Sequence, residues 1–213
     1  MSLPFHVIVP TEVEAGYLRG LDTIVCGVGG DAVQTAVQRL ATTPRPAVLA
    51  GFAGGLVDEM PVGSVVMPGE LSCDGRPTVC APSPASAEHR LITVDEVVTD
   101  AAGKRRLGET SGAHLADMEG HAFAEACEAA GRPWLVVRAV SDGVDHALPE
   151  PIGDWVTPEG RTRVSAAMKW AGFRPGRLAE LSRLKARADK AGAALRAAVT
   201  RLAETWPPAA SPD

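Results

Sequence analysis

The sequence predicts an α/β fold, in which helices pack on a sheet whose central strands are buried on both faces. Two neighbouring patterns carry this prediction. Residues 133–140 form an almost unbroken apolar run of strand length, interrupted only by Arg138. The preceding residues 119–130 place Ala, Phe and Cys at helical spacing on one face, and a Gly and a Pro then end that helix.

Two acids flank these elements. Glu119 lies on the apolar face of the predicted helix, where a carboxylate needs a partner. Asp142 falls just past the carboxyl end of the predicted strand, which is where open α/β sheets place ligand-binding residues. We therefore expect both acids to face one crevice.

Further elements follow from apolar runs and from glycine and proline positions. Residues 72–88 are rich in Pro, Ser and Cys and are predicted to be a loop. The remaining predicted strands are 5–9, 23–26, 47–56, 62–71 and 91–98. Two further helices are predicted to begin after Thr11 and after the GVGG turn. The other predicted helices span 101–108, 164–171 and 177–204.

Composition indicates an ordinary globular protein. The 213 residues are 46% apolar and 22% charged, which fits one domain over residues 1–204 with a basic helix at 177–204 and a disordered tail at 205–213. The net charge of −5 gives no case for nucleic acid binding. Residues 161–204 nevertheless hold eleven Lys and Arg against three Asp and Glu, a net +8 that leaves −13 for the remainder. A solvated helix face is the favoured interpretation, and contact with a membrane surface is the alternative.

No metal and no cofactor is predicted. The four Cys show no C-x-x-C spacing and the five His form no H-E-x-x-H pattern. The N-terminus has no signal-peptide pattern, and the apolar run 47–57 is broken by glycines and too short to span a bilayer. We expect a soluble cytoplasmic protein.

The glycine turn after the second strand has two interpretations. Gly27, Gly29 and Ala32 match G-x-G-x-x-A, but the next strand end, LAGFAGG, lacks the acid that a dinucleotide site needs. The turn therefore indicates close approach of a ligand or of backbone, and a phosphate group remains possible there. Glu12 and Glu14 lie in the first turn after Thr11, where position alone favours a helix-dipole role.

Four segments together resemble the purine nucleoside phosphorylase and methylthioadenosine/S-adenosylhomocysteine nucleosidase superfamily. They are GVGGDAVQTA, GFAGGL with PVGSVVMPGEL, ADMEGHAFAEAC and PWLVVRAVSD. The resemblance implies a three-layer sandwich with a central mixed, partly closed sheet flanked by helices. The segment HALPEPIGDWVTPEGRTR and the helix after it resemble the hopanoid-associated phosphorylases, which implies adenosylhopane as substrate, while PTEVEA resembles futalosine hydrolases.

The resemblance implies roles for three catalytic positions. Asp142 would protonate or hydrogen-bond purine N7, and Ser141 would orient it. Glu14 would activate water, which reverses the interpretation from position alone. An acid for the leaving group and a base for water are what an oxocarbenium-like N-glycosidic cleavage requires.

The remaining implied contacts are with substrate. Glu119 would bind the ribose hydroxyls and Met118 would pack on the sugar. Asp95 would precede the purine-stacking loop, which lacks an aromatic residue, so Phe52 is the substitute. Gly54 lies in a glycine-rich strand end that lets a ligand approach the backbone.

Two departures from the family pattern bear on substrate and acceptor. The hairpin between the first strand and GVGG is almost missing, and an open rim would suit a bulky 5′ substituent. Leu49 and Ala50 stand where a phosphorylase needs a cation, which favours water as acceptor. Arg45, Arg76 or Arg90 could supply a cation for phosphate instead, so phosphorolysis remains an alternative.

The leading hypothesis is thus a nucleosidase that releases adenine from a 5′-substituted adenosine. The alternatives are phosphorolysis of the same bond, futalosine hydrolysis, and a non-catalytic nucleoside-binding protein. The superfamily also implies a homodimer.

Overall fold

The computed structural model describes residues 3–40, 42–43, 45–82 and 86–206. The last helix of the chain ends at Thr205. The ring of Trp206 packs against that of Phe5, with 4.8 Å between the ring centroids. The prediction of disorder is therefore wrong for Thr205, which ends the helix, and for Trp206, which has an apolar partner. Residues 207–213 lie outside the described part of the chain.

Strands and helices alternate along most of the chain. The strands are β1 His6–Val9, β2 Thr23–Val25, β3 Ala47–Gly55, β4 Val65–Val66, β5 Pro68–Cys73, β6 Val79–Cys80, β7 Ser86–Thr93, β8 Leu115–Asp117 and β9 Trp134–Asp142. The helices are α1 Glu12–Tyr17, α2 Gly30–Arg39, α3 Ala101–Ser111, α4 Gly120–Ala129, α5 Val164–Ala171 and α6 Pro175–Thr205, and a 3₁₀ segment spans Glu150–Trp155.

The strands form one mixed sheet centred on β3. Strand β3 runs parallel to β1 and β9 and antiparallel to β8. The order β2-β1-β3-β8-β7-β5-β6 describes one path through the sheet, and β9 also pairs with β4. The expected mixed sheet is confirmed, and the pairings among the described strands do not close it into a barrel.

Helices cover both faces of the sheet, which makes the fold a three-layer sandwich. Val136 and Val140 of β9 pack in a core with α2 and α4. Leu135 and Val137, which alternate with them, pack in a second core with α6. Because successive strand side chains point to opposite faces, a continuous apolar run is what this position requires.

The burial of the long helix α6 changes along its length. Its second half contributes Ala191, Leu195, Val199 and Leu202 to the core, while most residues of its first half are exposed. The ring of Tyr17 lies so close to Gly192 that a Cβ there would overlap it. Only the first half of the predicted basic helix is thus a surface element.

Three predicted boundaries were wrong. The strand expected at 91–98 is β7, which ends at Thr93 because the chain bends at Asp95. The loop expected at 72–88 contains β6 and the start of β7, since both pair with β5. The strand expected at 62–71 is divided into β4, which pairs with β9, and β5, which pairs with β7.

No helix among the described residues is long and apolar enough to cross a membrane.

Candidate active site

A cavity of about 470 Å³ opens at the edge of the sheet where the parallel strands β1, β3 and β9 end. Its volume is typical of a site for a small organic molecule. Most of its wall is apolar. Within the described residues, five ionisable side chains line it: Glu14, Lys104, Asp117, Glu119 and Asp142.

The cavity brings together seven of the eight residues that the sequence indicated. They are Glu14, Phe52, Gly54, Met118, Glu119, Ser141 and Asp142. Asp95 is not among its lining residues and borders a smaller neighbouring cavity of about 310 Å³. Val94 and Val97, on either side of Asp95, line the main cavity instead.

Glu14 serves the local helix and the cavity together. Its Oε2 accepts hydrogen bonds from the Thr11 N–H at 2.9 Å and the Thr11 hydroxyl at 2.8 Å, which closes a capping box at the start of α1. Its Oε1 accepts the N–H of Phe52 at 2.8 Å. Glu14 is buried, and this desolvation raises the pKa of its carboxyl, although the Phe52 N–H and the charge of Arg138 oppose the rise.

Arg138 is the buried counter-charge of an acidic cluster. Its side chain has no exposure, and it binds Asp117 through Nε at 2.9 Å and Nη2 at 2.5 Å and Glu119 at 3.3 Å. Its Nη1 has no hydrogen-bond partner among the described residues. A Cβ at Gly51 would overlap that Nη1 and lie 2.7 Å from Glu14 Oε1, so the absence of a side chain at Gly51 lets Arg138 and Glu14 come together.

Glu119 joins α2 to this cluster. Its Oε1 accepts the N–H of Gly29 at 3.0 Å, in the GVGG turn at the start of α2. Desolvation raises the pKa of Glu119 to about 7, against the opposing charge of Arg138. The partner that an inward-facing carboxylate required is therefore Arg138, which also explains the one cation in the apolar run of β9.

Asp142 ends β9 opposite Gly54, where a β-bulge lies between Ala53 and Gly54. Its Oδ1 accepts a hydrogen bond from the Ser141 hydroxyl at 2.7 Å. Its Oδ2 contacts the ammonium group of Lys104, which α3 inserts into the protein.

Sequence reasoning missed Asp117 and Lys104. Asp117 begins the DMEGHA segment, and its Oδ1 also accepts the hydroxyl of Thr93 at 2.7 Å. Nothing in the sequence separates Lys104 from the exposed Arg105 and Arg106 that follow it.

The three arginines that were considered as phosphate ligands do not line the cavity. Arg45 binds the carbonyl oxygens of Leu3 and Phe5, Arg76 binds Glu125 at 2.6 Å, and none of Arg45, Arg76 and Arg90 lines the cavity. No group of three or more His, Cys, Asp or Glu in the described part of the chain is placed to hold a metal ion.

Residues 86–169, which include β7, α3, α4 and β9, match the model of the phosphorylase superfamily. Over this segment the chain is similar to that superfamily. The lining acids Asp117, Glu119 and Asp142 lie within the matched segment, whereas Glu14 precedes it.

Relatives and solved structures are similar over most of the chain. A 5′-methylthioadenosine/S-adenosylhomocysteine nucleosidase of Shewanella sp. strain MR-7 is 24% identical, over 73% of this chain and 81% of the relative. The S-adenosylhomocysteine nucleosidase of Streptococcus pyogenes, solved with 5-methylthiotubericidin, has a TM-score of 0.68 at 16% identity over 97% of this chain and 98% of that one. The futalosine hydrolase of Helicobacter pylori has a TM-score of 0.59 at 15% identity, over 93% and 97% of the two chains. These structures share the three-layer fold.

Proposed function

We propose that this protein cleaves the N-glycosidic bond of a 5′-substituted adenosine and releases adenine, with water as the acceptor. The observation that carries the proposal is that Glu14 and Asp142, buried acids from different elements, line one cavity with Glu119. Relatives named as nucleosidases of this type support the choice of bond.

Asp142 acts at the purine. As the C1′–N9 bond breaks, its electron pair moves into the base, and a proton on N7 neutralises the charge that develops. General acid catalysis of this kind contributes about 10²- to 10⁴-fold. The Ser141 hydroxyl on Oδ1 holds the carboxyl in orientation.

Glu14 acts at the water. Its raised pKa makes it a stronger base than an exposed carboxylate while Arg138 favours its ionised form. Glu119 and Met118 bind the sugar between the two acids, where Glu119 can accept hydrogen bonds from ribose hydroxyls.

Water is favoured over phosphate because the lining lacks a free cation. Within the described residues, the only cation lining the cavity is Lys104, and it is paired with Asp142. A phosphate dianion needs charge-assisted donors. Strict dependence of turnover on phosphate would contradict this part of the proposal.

The 5′ substituent is proposed to be apolar. Leu148, Ile152 and Val156, in and around the 3₁₀ segment, line the cavity together with Val97, which is 40% exposed. Adenosylhopane is the bulky candidate, and methylthioadenosine is the small one. The test is adenine release from methylthioadenosine, S-adenosylhomocysteine, adenosylhopane and futalosine, each with and without phosphate. Release from none, with binding retained, would favour a non-catalytic nucleoside-binding protein.

We also propose a homodimer in which the second copy covers the open rim at Val97. Sedimentation velocity across a concentration series tests this, and a monomer at all concentrations contradicts it. Val97→Asp should weaken the dimer.

A second candidate function is docking on an anionic membrane surface. At the turn between α5 and α6, Met168 and Phe173 are 52% and 103% exposed, and Lys169 and Arg174 are exposed beside them. Apolar residues that insert at an interface beside cations that attract anionic lipid are the pattern of surface-bound helices. The 3₁₀ segment packs next to this turn: the ring centroids of Trp155 in that segment and Trp170 in α5 are 5.4 Å apart.

Vesicle co-sedimentation tests the docking. The chain should sediment with vesicles that contain phosphatidylglycerol and not with pure phosphatidylcholine. Lys169→Glu with Arg174→Glu should abolish sedimentation, and Arg106→Glu with Arg105→Glu on α3 is the control of equal charge change. Absence of sedimentation by the intact chain would contradict the docking.

A further inference from the structure

The buried lysine of α3 has no role in the function described so far. The two residues that follow Lys104 on its helix, Arg105 and Arg106, are exposed, yet the side chain of Lys104 is only 2% exposed. Its Nζ reaches three oxygen atoms: Asp142 Oδ2, the carbonyl oxygen of His146 at 2.8 Å and the carbonyl oxygen of Gly143 at 3.2 Å. It also lines the main cavity.

The number of acceptors indicates how the protons are distributed. An ammonium group has three N–H donors and a neutral amine has two, so three surrounding oxygens match the ammonium form. Asp142 is then an ionised carboxylate, since Oδ2 accepts from Lys104 and Oδ1 accepts from the Ser141 hydroxyl. In this resting arrangement Asp142 has no proton of its own to give.

The proposed reaction requires that a proton reach purine N7. Resting on that proposed function, we propose that Lys104 supplies the proton and Asp142 passes it on. Lys104 is thus a positioning and proton-supplying residue that acts through Asp142, and the acid of the site is the pair rather than the carboxyl alone.

The transfer balances in two steps. A proton moves from Lys104 Nζ to Asp142 Oδ2, and the ion pair becomes a neutral amine and a neutral carboxyl. That carboxyl then gives the proton to N7 as the electron pair of the C1′–N9 bond moves into the base. Glu14 takes one proton from the attacking water, and exchange with solvent returns a proton to Lys104 after adenine leaves.

Two substitutions separate proton supply from simple positioning. Lys104→Met removes both the charge and the proton. Lys104→Arg keeps a cation beside Asp142, but a guanidinium does not lose its proton in a protein. If Lys104 only holds Asp142 in place, the Arg variant retains activity. If it supplies the proton, both variants are slow.

The decisive readout is a substrate that needs no proton. In 5′-methylthioadenosine methylated at N7 the leaving group departs neutral without protonation. Both variants should lose about 10²-fold or more in kcat on 5′-methylthioadenosine, the general acid contribution, and should approach wild-type kcat on the N7-methylated substrate. Arg106→Met, which changes an exposed residue two positions along α3, is the matched control and should resemble wild type on both.

Several results would overturn the inference. If Lys104→Arg had the wild-type kcat on 5′-methylthioadenosine, the only remaining role for Lys104 would be to position Asp142. Equal losses on both substrates, with unchanged affinity for 5′-methylthiotubercidin, would assign Lys104 to site architecture instead. Absence of wild-type turnover of both substrates would overturn the proposed function with it, whereas unchanged Lys104→Met turnover would overturn the relay alone.

A measurement on the wild-type protein tests the relay even if the Lys104 variants do not fold. The relay moves protons to the leaving group only for the unmethylated substrate. The solvent deuterium effect on kcat should therefore be larger for 5′-methylthioadenosine than for its N7-methylated form. Equal effects would contradict the relay.

Discussion

The two ends of the cavity bury carboxylates in different ways. At the end formed by α1 and the start of α4, the acids Glu14, Asp117 and Glu119 surround one cation, Arg138. At the end of β9, Asp142 has a cation of its own, Lys104. Both Arg138 and Asp142 come from β9, four residues apart.

This difference assigns the two ends to different chemistry. Three acids around one cation carry excess negative charge when ionised, and burial raises the pKa values of Glu14 and Glu119. That end is suited to taking up a proton, as a base for water must. The balanced Lys104–Asp142 pair holds a proton on the lysine and is suited to giving one up.

The largest effects should come from the two acids. Asp142→Asn and Glu14→Gln should each lower kcat for adenine release by about 10²- to 10⁴-fold, because one removes the acid and the other the base. Steady-state release followed by chromatography measures this. Asp95→Asn is the control, since Asp95 lies outside the main cavity and its change should leave kcat unaltered; a comparable loss there would contradict the assignment.

The next effect concerns stability. Arg138→Met should lower the free energy of unfolding by about 3–5 kcal/mol, because it leaves Asp117 and Glu119 buried without their counter-charge. Lys104→Met should lower it less, since only one carboxylate loses its partner. Urea unfolding of both variants measures the difference, and a larger loss for Lys104→Met would break the comparison between the two ends.

A smaller effect should appear in the pH dependence of stability. The pKa of Glu119 is raised to about 7, so the folded protein binds this proton more tightly than the unfolded chain. Its contribution to stability is present below the ordinary glutamate pKa and is lost as pH rises to about 7. Between pH 5 and pH 8 the melting temperature of wild type should therefore fall more than that of Glu119→Gln. Parallel curves would argue against the raised pKa.

The smallest effect should come from the donor to Glu14. Thr11→Val removes the hydroxyl that caps α1 and binds Oε2 at 2.8 Å. Loss of such a cap costs about 1 kcal/mol. We expect that change in urea unfolding together with a modest fall in kcat, and Thr35→Val, which changes an exposed hydroxyl bonded within α2, serves as the control. An unchanged free energy of unfolding in Thr11→Val would argue against the capping box.

Sequence patterns predicted the layers and most of the cavity because periodicity reports burial. The apolar run of β9 is buried as expected, α4 buries Phe123 and Cys127 as expected, and Glu119 has the partner that its inward position required. The carboxyl ends of parallel strands then brought Phe52, Ser141 and Asp142 together. Glu14 was assigned by resemblance alone, since its position in the helix predicts only a dipole role.

Long-range packing decided what the patterns could not. Lys104 is one of three consecutive basic residues, and only the docking of α3 selects it for burial. Asp95 was assigned by resemblance, as a position before the purine-stacking loop, whereas in the structure it borders the smaller neighbouring cavity. The second half of α6 packs in the core although its charge count predicted a surface helix, because most cations of the helix are on exposed residues.

The most direct test of the division between the two ends uses the N7-methylated substrate with the two acid variants. Because its leaving group needs no proton, Asp142→Asn should turn it over at nearly the wild-type kcat, whereas Glu14→Gln should remain slow since water must still be activated. Equal impairment of both variants on this substrate would contradict the account.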